Sequence, residues 1–171
     1  MKWISIDPAT TSGVANWDND TLVNTVVVKP RGTSGKWYHN SEIHASRFLA
    51  WLHTYDHTDA KLGGLPVVIE RGFGGMATAV RAQGMQIGWH QCMCALLQRS
   101  APIEVNVAEW RRVIKEDLQV SWPKDSKRAK QLSIQLVHKV YGITVTEDEA
   151  DAVLLGRAAI RMGLVPQGEP K

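Results

Sequence analysis

The segment Trp3-Ile4-Ser5-Ile6-Asp7 decides the fold, because it is a short, mostly apolar run that ends at a single carboxylate. Such a run predicts a buried β-strand. Pro8 and the small residues up to Gly13 follow it and predict a turn. A second segment, Pro66-Val67-Val68-Ile69-Glu70, has the same form and leads into a loop that contains glycine. The chain is therefore predicted to contain two strands that each end in a lone acid.

The remaining elements follow from the apolar patterns around these two strands. Further strands are predicted at 14–17, 21–29 and 102–107, and helices at about 40–52, 77–98, 108–118, 126–141 and 146–162. The order β-β-β-α-β-α-β-α-α-α predicts an α/β protein with a mixed five-stranded sheet and helices on both faces. A chain of 171 residues without an evident linker is expected to form one domain, 1–171.

The composition indicates an ordinary globular protein, with 44% hydrophobic and 22% charged residues. No apolar run approaches the roughly 18 residues that a membrane span needs. The N-terminus reaches Asp7 too early for the apolar region of a signal peptide. A cytoplasmic protein with no membrane partner is expected.

Basic residues are concentrated between Glu109 and Lys130, a segment that contains seven basic and four acidic residues. This surplus equals the formal net charge of the whole chain, +3. A basic stripe here would suit a phosphate backbone. A solvated helix face explains the same pattern equally well.

A third group of acids opens the last predicted helix, in the segment Glu147-Asp148-Glu149-Ala150-Asp151. Asp148 and Asp151 are three positions apart and so share a helix face. Acids in a first turn are also favoured by the helix dipole alone. The apolar run directly after Asp151 indicates, however, that this helix packs on the sheet and holds Asp151 at the buried boundary.

Carboxylates from separate elements suit Mg²⁺, which prefers oxygen ligands and keeps several waters. Two such ions about 3.5–4 Å apart can activate water and stabilise a leaving oxygen in phosphodiester hydrolysis. Without metal the acids would repel one another, which predicts raised pKa values. We expect two Mg²⁺ ions, replaceable by Mn²⁺, and no small-molecule cofactor.

The three acidic motifs together resemble the RuvC family of Holliday junction resolvases. They are Asp7-Pro8 with small residues up to Gly13, Val68-Ile69-Glu70-x-x-Phe73, and Asp148-x-x-Asp151-Ala152. The resemblance covers about residues 1–162. It implies an RNase H-like fold and a homodimeric, metal-dependent endonuclease that resolves four-way DNA junctions by paired nicks.

The resemblance also implies a role for individual residues. Asp7, Glu70, Asp148 and Asp151 would bind the metal, and Lys127 would lie near the scissile phosphate. Arg128 and Lys130 are so close to Lys127 that the register stays open. The implied DNA-binding residues are Phe73, which would stack on an unpaired base, and Arg111, Arg112, Lys124, Arg128 and Lys130. The helix at 77–98 would form the dimer, with Gly84 and Gly88 allowing close approach or, equally, packing on the sheet.

The chain departs from the commonest bacterial pattern in two places. The turn after Asp7 is short and has Ala9 at a usual glycine, and the stretch from Gly32 to Tyr38 is unfamiliar. Both features resemble phage-encoded members and leave the cleavage-sequence preference and strict junction selectivity open.

Three other functions share part of this pattern with the junction nuclease. An ATP-binding protein of the actin/Hsp70 superfamily shares the turn after the first strand, but it needs two such domains. An RNase H acting on RNA–DNA hybrids would use the same carboxylates. A non-catalytic module that binds branched DNA would not need to retain all four acids.

Overall fold

The computed structural model describes residues 1–8, 11–28, 66–71 and 101–165, together with the helical positions 84, 87, 88, 91 and 92. The strands are β1 (Lys2–Asp7), β2 (Ser12–Asp18), β3 (Thr21–Val28), β4 (Val67–Arg71) and β5 (Ile103–Asn106). The helices with complete bounds are α1 (Val107–Leu118), α2 (Ser126–Tyr141) and α3 (Glu147–Arg161). The predicted order of these elements is confirmed, and the helix predicted at 40–52 lies outside the described residues.

The strands form one mixed sheet in the order β3-β2-β1-β4-β5. β1 pairs with β2, and β2 with β3, in antiparallel fashion. β4 lies parallel to β1 on one side and to β5 on the other. The predicted five-stranded mixed sheet is confirmed, and the carboxyl ends of β1 and β4 lie at the same edge.

Side chains of the sheet alternate between two apolar layers, as the period of a strand requires. Trp3, Trp17 and Val68 face the layer formed with α1, α2 and α3. Ile4 and Ile69 belong to the opposite layer, which also contains Ile6, Val14, Val28 and Val67. Ile87, at a described helical position, packs against this second layer. Described helical residues therefore lie on both faces of the sheet, as predicted.

Helix α3 is the central element, because it contacts β1, β2, β3 and β4 as well as both other helices. Its start is fixed by a capping box, in which Thr146 and Glu149 satisfy each other's backbone N–H groups. The hydroxyl of Thr25 on β3 also donates to Glu149 Oε1 over 2.8 Å. The Ser5 hydroxyl donates to the Ala152 carbonyl over 2.7 Å, which ties the next turn to β1.

Most predicted ends agree with the structure to within one or two residues. Helix α2 has the predicted bounds, and Thr146, predicted to open the last helix, is its N-cap. Strand β2 begins at Ser12, two residues earlier than predicted, because Gly13 still pairs with Asp7. Among the helices that the structure describes, none combines the length and apolar character that a bilayer crossing requires.

Candidate functional site: a carboxylate cluster at the sheet edge

Asp7 and Glu70 lie side by side at the carboxyl edge of the sheet. Asp7 is the last residue of β1, and Glu70 is the fourth residue of β4. The parallel register pairs Ile6 with Ile69, so the following residue of each strand is one of the two acids. Ligand sites in sheets with crossover helices commonly form beyond such strand ends.

Asp148 and Asp151 reach the same edge from the first turns of α3. Asp151 is buried, with 7% of its surface exposed, whereas Asp148 is partly buried. The approach depends on Gly13, the register partner of Asp7 on β2. A Cβ atom on Gly13 would lie 1.9 Å from the Asp148 carbonyl oxygen, so only glycine lets α3 come this close.

The electrostatics show that the four acids form one cluster. Burial raises the pKa of Asp7 well above its ordinary value, and the charges of Glu70, Asp151 and Asp148 raise it further. Burial is also the main cause that raises the pKa of Glu70 to about 7, with Asp151 adding to the effect. Burial raises the pKa of Asp151 in turn, with a smaller contribution from Asp148. Crowded, partly desolvated carboxylates favour protonation, or a cation, over four bare charges.

Two groups on α1 lie against the cluster. The indole Nε1–H of Trp110 donates to Glu70 Oε2 over 2.8 Å. The guanidinium of Arg111 lies over the rings of Trp110 and Trp122, with its Cζ atom 5.2 and 5.4 Å from their centroids. The positive charge of Arg111 lowers the pKa values of both Glu70 and Asp151. Arg111 was predicted as a DNA-binding residue. The contact between Trp110 and Glu70 was not predicted, because a tryptophan on the apolar face of a helix is normally expected in the hydrophobic core.

The structure distinguishes between Lys127, Arg128 and Lys130, three basic residues that the sequence alone could not rank. Lys130 is partly buried, and its Nζ atom lies 2.8 Å from Glu147 Oε2. The hydrogen bond to Glu147 is the main cause that raises the pKa of Lys130, and Asp148 and Asp151 add to it. Lys127 and Arg128 are exposed in the first turn of α2. Against the larger effect of burial, the positive charge of Lys130 lowers the pKa values of Asp7 and Asp151.

Two of the remaining predicted DNA-binding residues are exposed. Lys124 precedes α2, and Arg112 on α1 forms an ion pair with Glu116 over 3.2 Å. Phe73 lies outside the described residues. Gly84 and Gly88 are exposed helical positions, and a Cβ atom on either would meet none of the described residues within 4 Å.

The donor set fits a hard divalent cation, since it consists of carboxylates on three elements. One buried oxygen, Asp151 Oδ1, has no hydrogen-bond partner. A buried carboxylate oxygen left in this state is costly, and a metal ion would satisfy it. Within the described ranges, no three His, Cys, Asp or Glu side chains already form a ready metal-binding group.

The sheet order, the mixed strand directions and the helices on both faces define an α/β protein with the RNase H-like fold. The sequence matches no protein-family model and none of the curated proteins.

Solved structures of Thermus thermophilus RuvC share this fold. The complex with a Holliday junction substrate superposes with a TM-score of 0.64 at 17% sequence identity, over 95% of this chain and 97% of that chain. A second Thermus thermophilus RuvC structure gives a TM-score of 0.62 at 16% identity, with the same coverage. The likeness at this identity is one of fold, and it spans nearly the full length of both chains.

Proposed function

We propose that this chain is a Mg²⁺-dependent endonuclease that cuts branched DNA and resolves four-way junctions by paired nicks. The observation that carries the proposal is the meeting of Asp7, Glu70, Asp148 and Asp151 at one sheet edge. The RNase H-like fold adds support, since one of the similar structures is RuvC in complex with a Holliday junction substrate. A site of this kind performs phosphodiester hydrolysis when it holds two divalent ions.

The acids would hold the ions, with Mn²⁺ able to replace Mg²⁺. The bound ions would supply an activated water and neutralise charge on the phosphate. Asp7 and Glu70 would contribute oxygens from the sheet, and Asp148 and Asp151 from α3. The unpaired Oδ1 of Asp151 and the raised pKa of Asp7 both indicate a site that is completed by positive charge.

Of Lys127, Arg128 and Lys130, we favour Lys130 as the residue that acts on the phosphate. Its ammonium group donates a hydrogen bond to Glu147 Oε2 over 2.8 Å. The negative charges of Asp148 and Asp151 also act on it. A fixed positive charge beside a reacting phosphate stabilises the negative charge that develops during in-line attack. Lys127, which the sequence resemblance favoured, remains a candidate for holding DNA, together with Phe73, Arg111, Arg112, Lys124 and Arg128.

Paired nicks require two active sites, which a two-fold homodimer supplies. Gly84 and Gly88 lie one helical turn apart on an exposed face, and the space beside each is open among the described residues. This observation favours helix–helix approach between two copies over packing of these glycines on the sheet. We include a homodimer formed through this helix in the proposal.

The test is cleavage of a labelled four-way DNA junction, a linear duplex of the same sequence and an RNA–DNA hybrid. Each substrate is incubated with Mg²⁺ and, separately, with a chelator. The proposal expects symmetrical nicks in the junction that require metal, and little cutting of the linear duplex. Cutting confined to the hybrid would assign the chain to the RNase H class. Junction binding without cutting in any metal would leave a DNA-binding module and overturn the enzymatic proposal.

A further inference from the structure

Trp110 forms a direct hydrogen bond to one acid of the carboxylate cluster. It is the fourth residue of α1, and its indole Nε1–H donates to Glu70 Oε2 over 2.8 Å. The side chain of Trp110 has no exposed surface. Hydrogen bonds to an ionised acceptor are stronger than those between neutral groups. Glu70 is therefore held through one of its two carboxylate oxygens.

The indole is itself rigidly placed. Its ring packs edge-to-face against Trp122, with centroids 5.5 Å apart and an interplanar angle of 88°. The guanidinium of Arg111 lies over the same two rings. Helix α1 starts directly after β5, with Asn106 as its N-cap, and β5 pairs with β4. The donor thus lies on the helix that directly follows β5, and the acceptor lies on the neighbouring strand of the sheet.

The other hydrogen-bonded indoles of the described core use different acceptors. Trp3 donates to the backbone carbonyl of Asn19 over 2.7 Å, and Trp17 donates to the Ser5 hydroxyl over 2.9 Å. Either arrangement satisfies a buried N–H group without a charged partner. Trp110 instead uses a carboxylate that repels the neighbouring acids. A contact of this kind orients a ligand as well as satisfying the donor.

We propose that Trp110 is a positioning residue that fixes Glu70 by binding Oε2 and so leaves Oε1 as the oxygen offered to a metal ion. This inference rests on the proposed metal site. A carboxylate held through one oxygen binds a cation through the other without first losing rotational freedom. Removing the indole N–H would leave Glu70 in place but free to rotate.

The experiment compares Trp110→Phe with the matched control Trp3→Phe, both in the full-length protein. Each variant removes one fully buried indole that donates a hydrogen bond. Mn²⁺ binding to the protein without DNA is measured by titration, and the Mg²⁺ concentration for half-maximal junction cleavage is measured separately. We expect Trp110→Phe to weaken metal binding about tenfold, as loss of an outer-sphere partner commonly does. Trp3→Phe should bind Mn²⁺ like the wild type even if it lowers stability.

A spectroscopic measurement on the wild type keeps the test independent of how well Trp110→Phe folds. In protein labelled with ¹⁵N-tryptophan, the indole resonance that Trp110→Phe removes is assigned to Trp110. This resonance should move when Mg²⁺ is added and should stay still in Glu70→Gln. A Trp110 resonance that ignores Mg²⁺ in a wild type that binds the ion would overturn the inference.

The outcomes separate this inference from the proposed function. Suppose that the wild type binds metal and cleaves the junction, and that Trp110→Phe and Trp3→Phe bind Mn²⁺ with equal affinity. This result would overturn the positioning role alone. A wild type that binds neither Mn²⁺ nor Mg²⁺ would overturn both. Weaker metal binding in Trp110→Phe, largely restored cleavage at saturating Mg²⁺ and a Mg²⁺-sensitive Trp110 resonance would support it.

Discussion

The backbone carbonyl oxygen of Asp148 lies 1.9 Å from the position that a Cβ atom on Gly13 would occupy. The carbonyl carbon of Asp148 and the amide nitrogen of Glu149 are also within 2.6 Å of that position. Because Gly13 pairs with Asp7 across β1 and β2, one glycine brings the start of α3 against the strand that carries the first acid. The missing side chain is thus part of the construction of the site.

Gly13→Ala should therefore damage the site and the fold together. The atoms in conflict are backbone, so α3 must move away from β2, and overpacking of this kind costs about 1–3 kcal/mol. We expect chemical denaturation to show that loss and cleavage assays to show a lower kcat. Gly84→Ala is the matched control for the stability measurement, since a Cβ atom there would meet none of the described residues within 4 Å. Wild-type stability and kcat in Gly13→Ala would mean that the close approach is not maintained in solution.

Asp7→Asn should abolish cleavage while leaving junction binding intact. The amide has nearly the shape of the carboxyl group but lacks the charge that a divalent ion needs. Because burial and three neighbouring acids raise the pKa of Asp7, the substitution also removes repulsion from the metal-free protein. Its free energy of unfolding in chelator, at neutral pH, should equal or exceed that of the wild type. Normal cutting by Asp7→Asn would remove Asp7 from the proposed site.

Glu70 should make the stability of the metal-free protein depend on pH. Its pKa is raised from 4.5 to about 7, chiefly by burial, so the folded state holds the proton more tightly than the unfolded state. The stability it contributes is complete below the unfolded pKa and is lost as the pH rises through the folded pKa.

Comparison with Glu70→Gln isolates this effect from other titrating groups. In chelator, the unfolding free energy of Glu70→Gln minus that of the wild type should grow by roughly 1–3 kcal/mol as the pH rises from 4.5 to about 7. Mg²⁺ should stabilise the wild type most at the alkaline end. A difference that stays constant with pH would show that Glu70 titrates normally.

Much of this arrangement could be predicted from the chain because it depends on local patterns. Asp7 and Glu70 each follow an apolar run, and Asp148 and Asp151 share a helix face, so the strand ends and the helix were predictable. Their meeting also required the parallel pairing of β1 with β4, which joins residues more than 60 positions apart in the chain. The family resemblance, rather than the periodicity, supplied that step.

The details that could not be predicted are long-range side-chain contacts. Nothing in the local sequence links Trp110 to Glu70, since 40 positions separate them. Lys127 and Lys130 differ by less than one helical turn, and only the packing of α2 on α3 shows which of them approaches Glu147. Phe73 lies outside the described residues and stays a prediction.

Lys130→Ala should lower cleavage more than Lys127→Ala does. Lys130 is held beside the acids by Glu147, whereas Lys127 is exposed in the first turn of α2. Loss of a fixed charge next to the reacting phosphate commonly lowers kcat about 100-fold or more. Lys127→Ala should instead weaken DNA binding modestly and make it less sensitive to salt. Single-turnover rates at saturating protein separate the two effects, and a larger loss of rate in Lys127→Ala would reverse the assignment.

Gly88→Leu should weaken the proposed homodimer without unfolding the subunit. Gly88 is exposed on a helix, and a Cβ atom there would meet nothing within 4 Å in the described part of the chain, so we expect the larger side chain to fit in an isolated subunit. Leucine also favours a helix by nearly 1 kcal/mol over glycine, which predicts an equal or higher melting temperature. In a close helix–helix interface the same side chain would hold the two backbones apart. Analytical ultracentrifugation should then show dissociation at concentrations where the wild type is dimeric, and junction cleavage should change from paired nicks to single ones. An unchanged dimer would show that the subunits associate through another surface. In that case Gly88→Ala, which adds a single methyl group, would also leave the assembly intact.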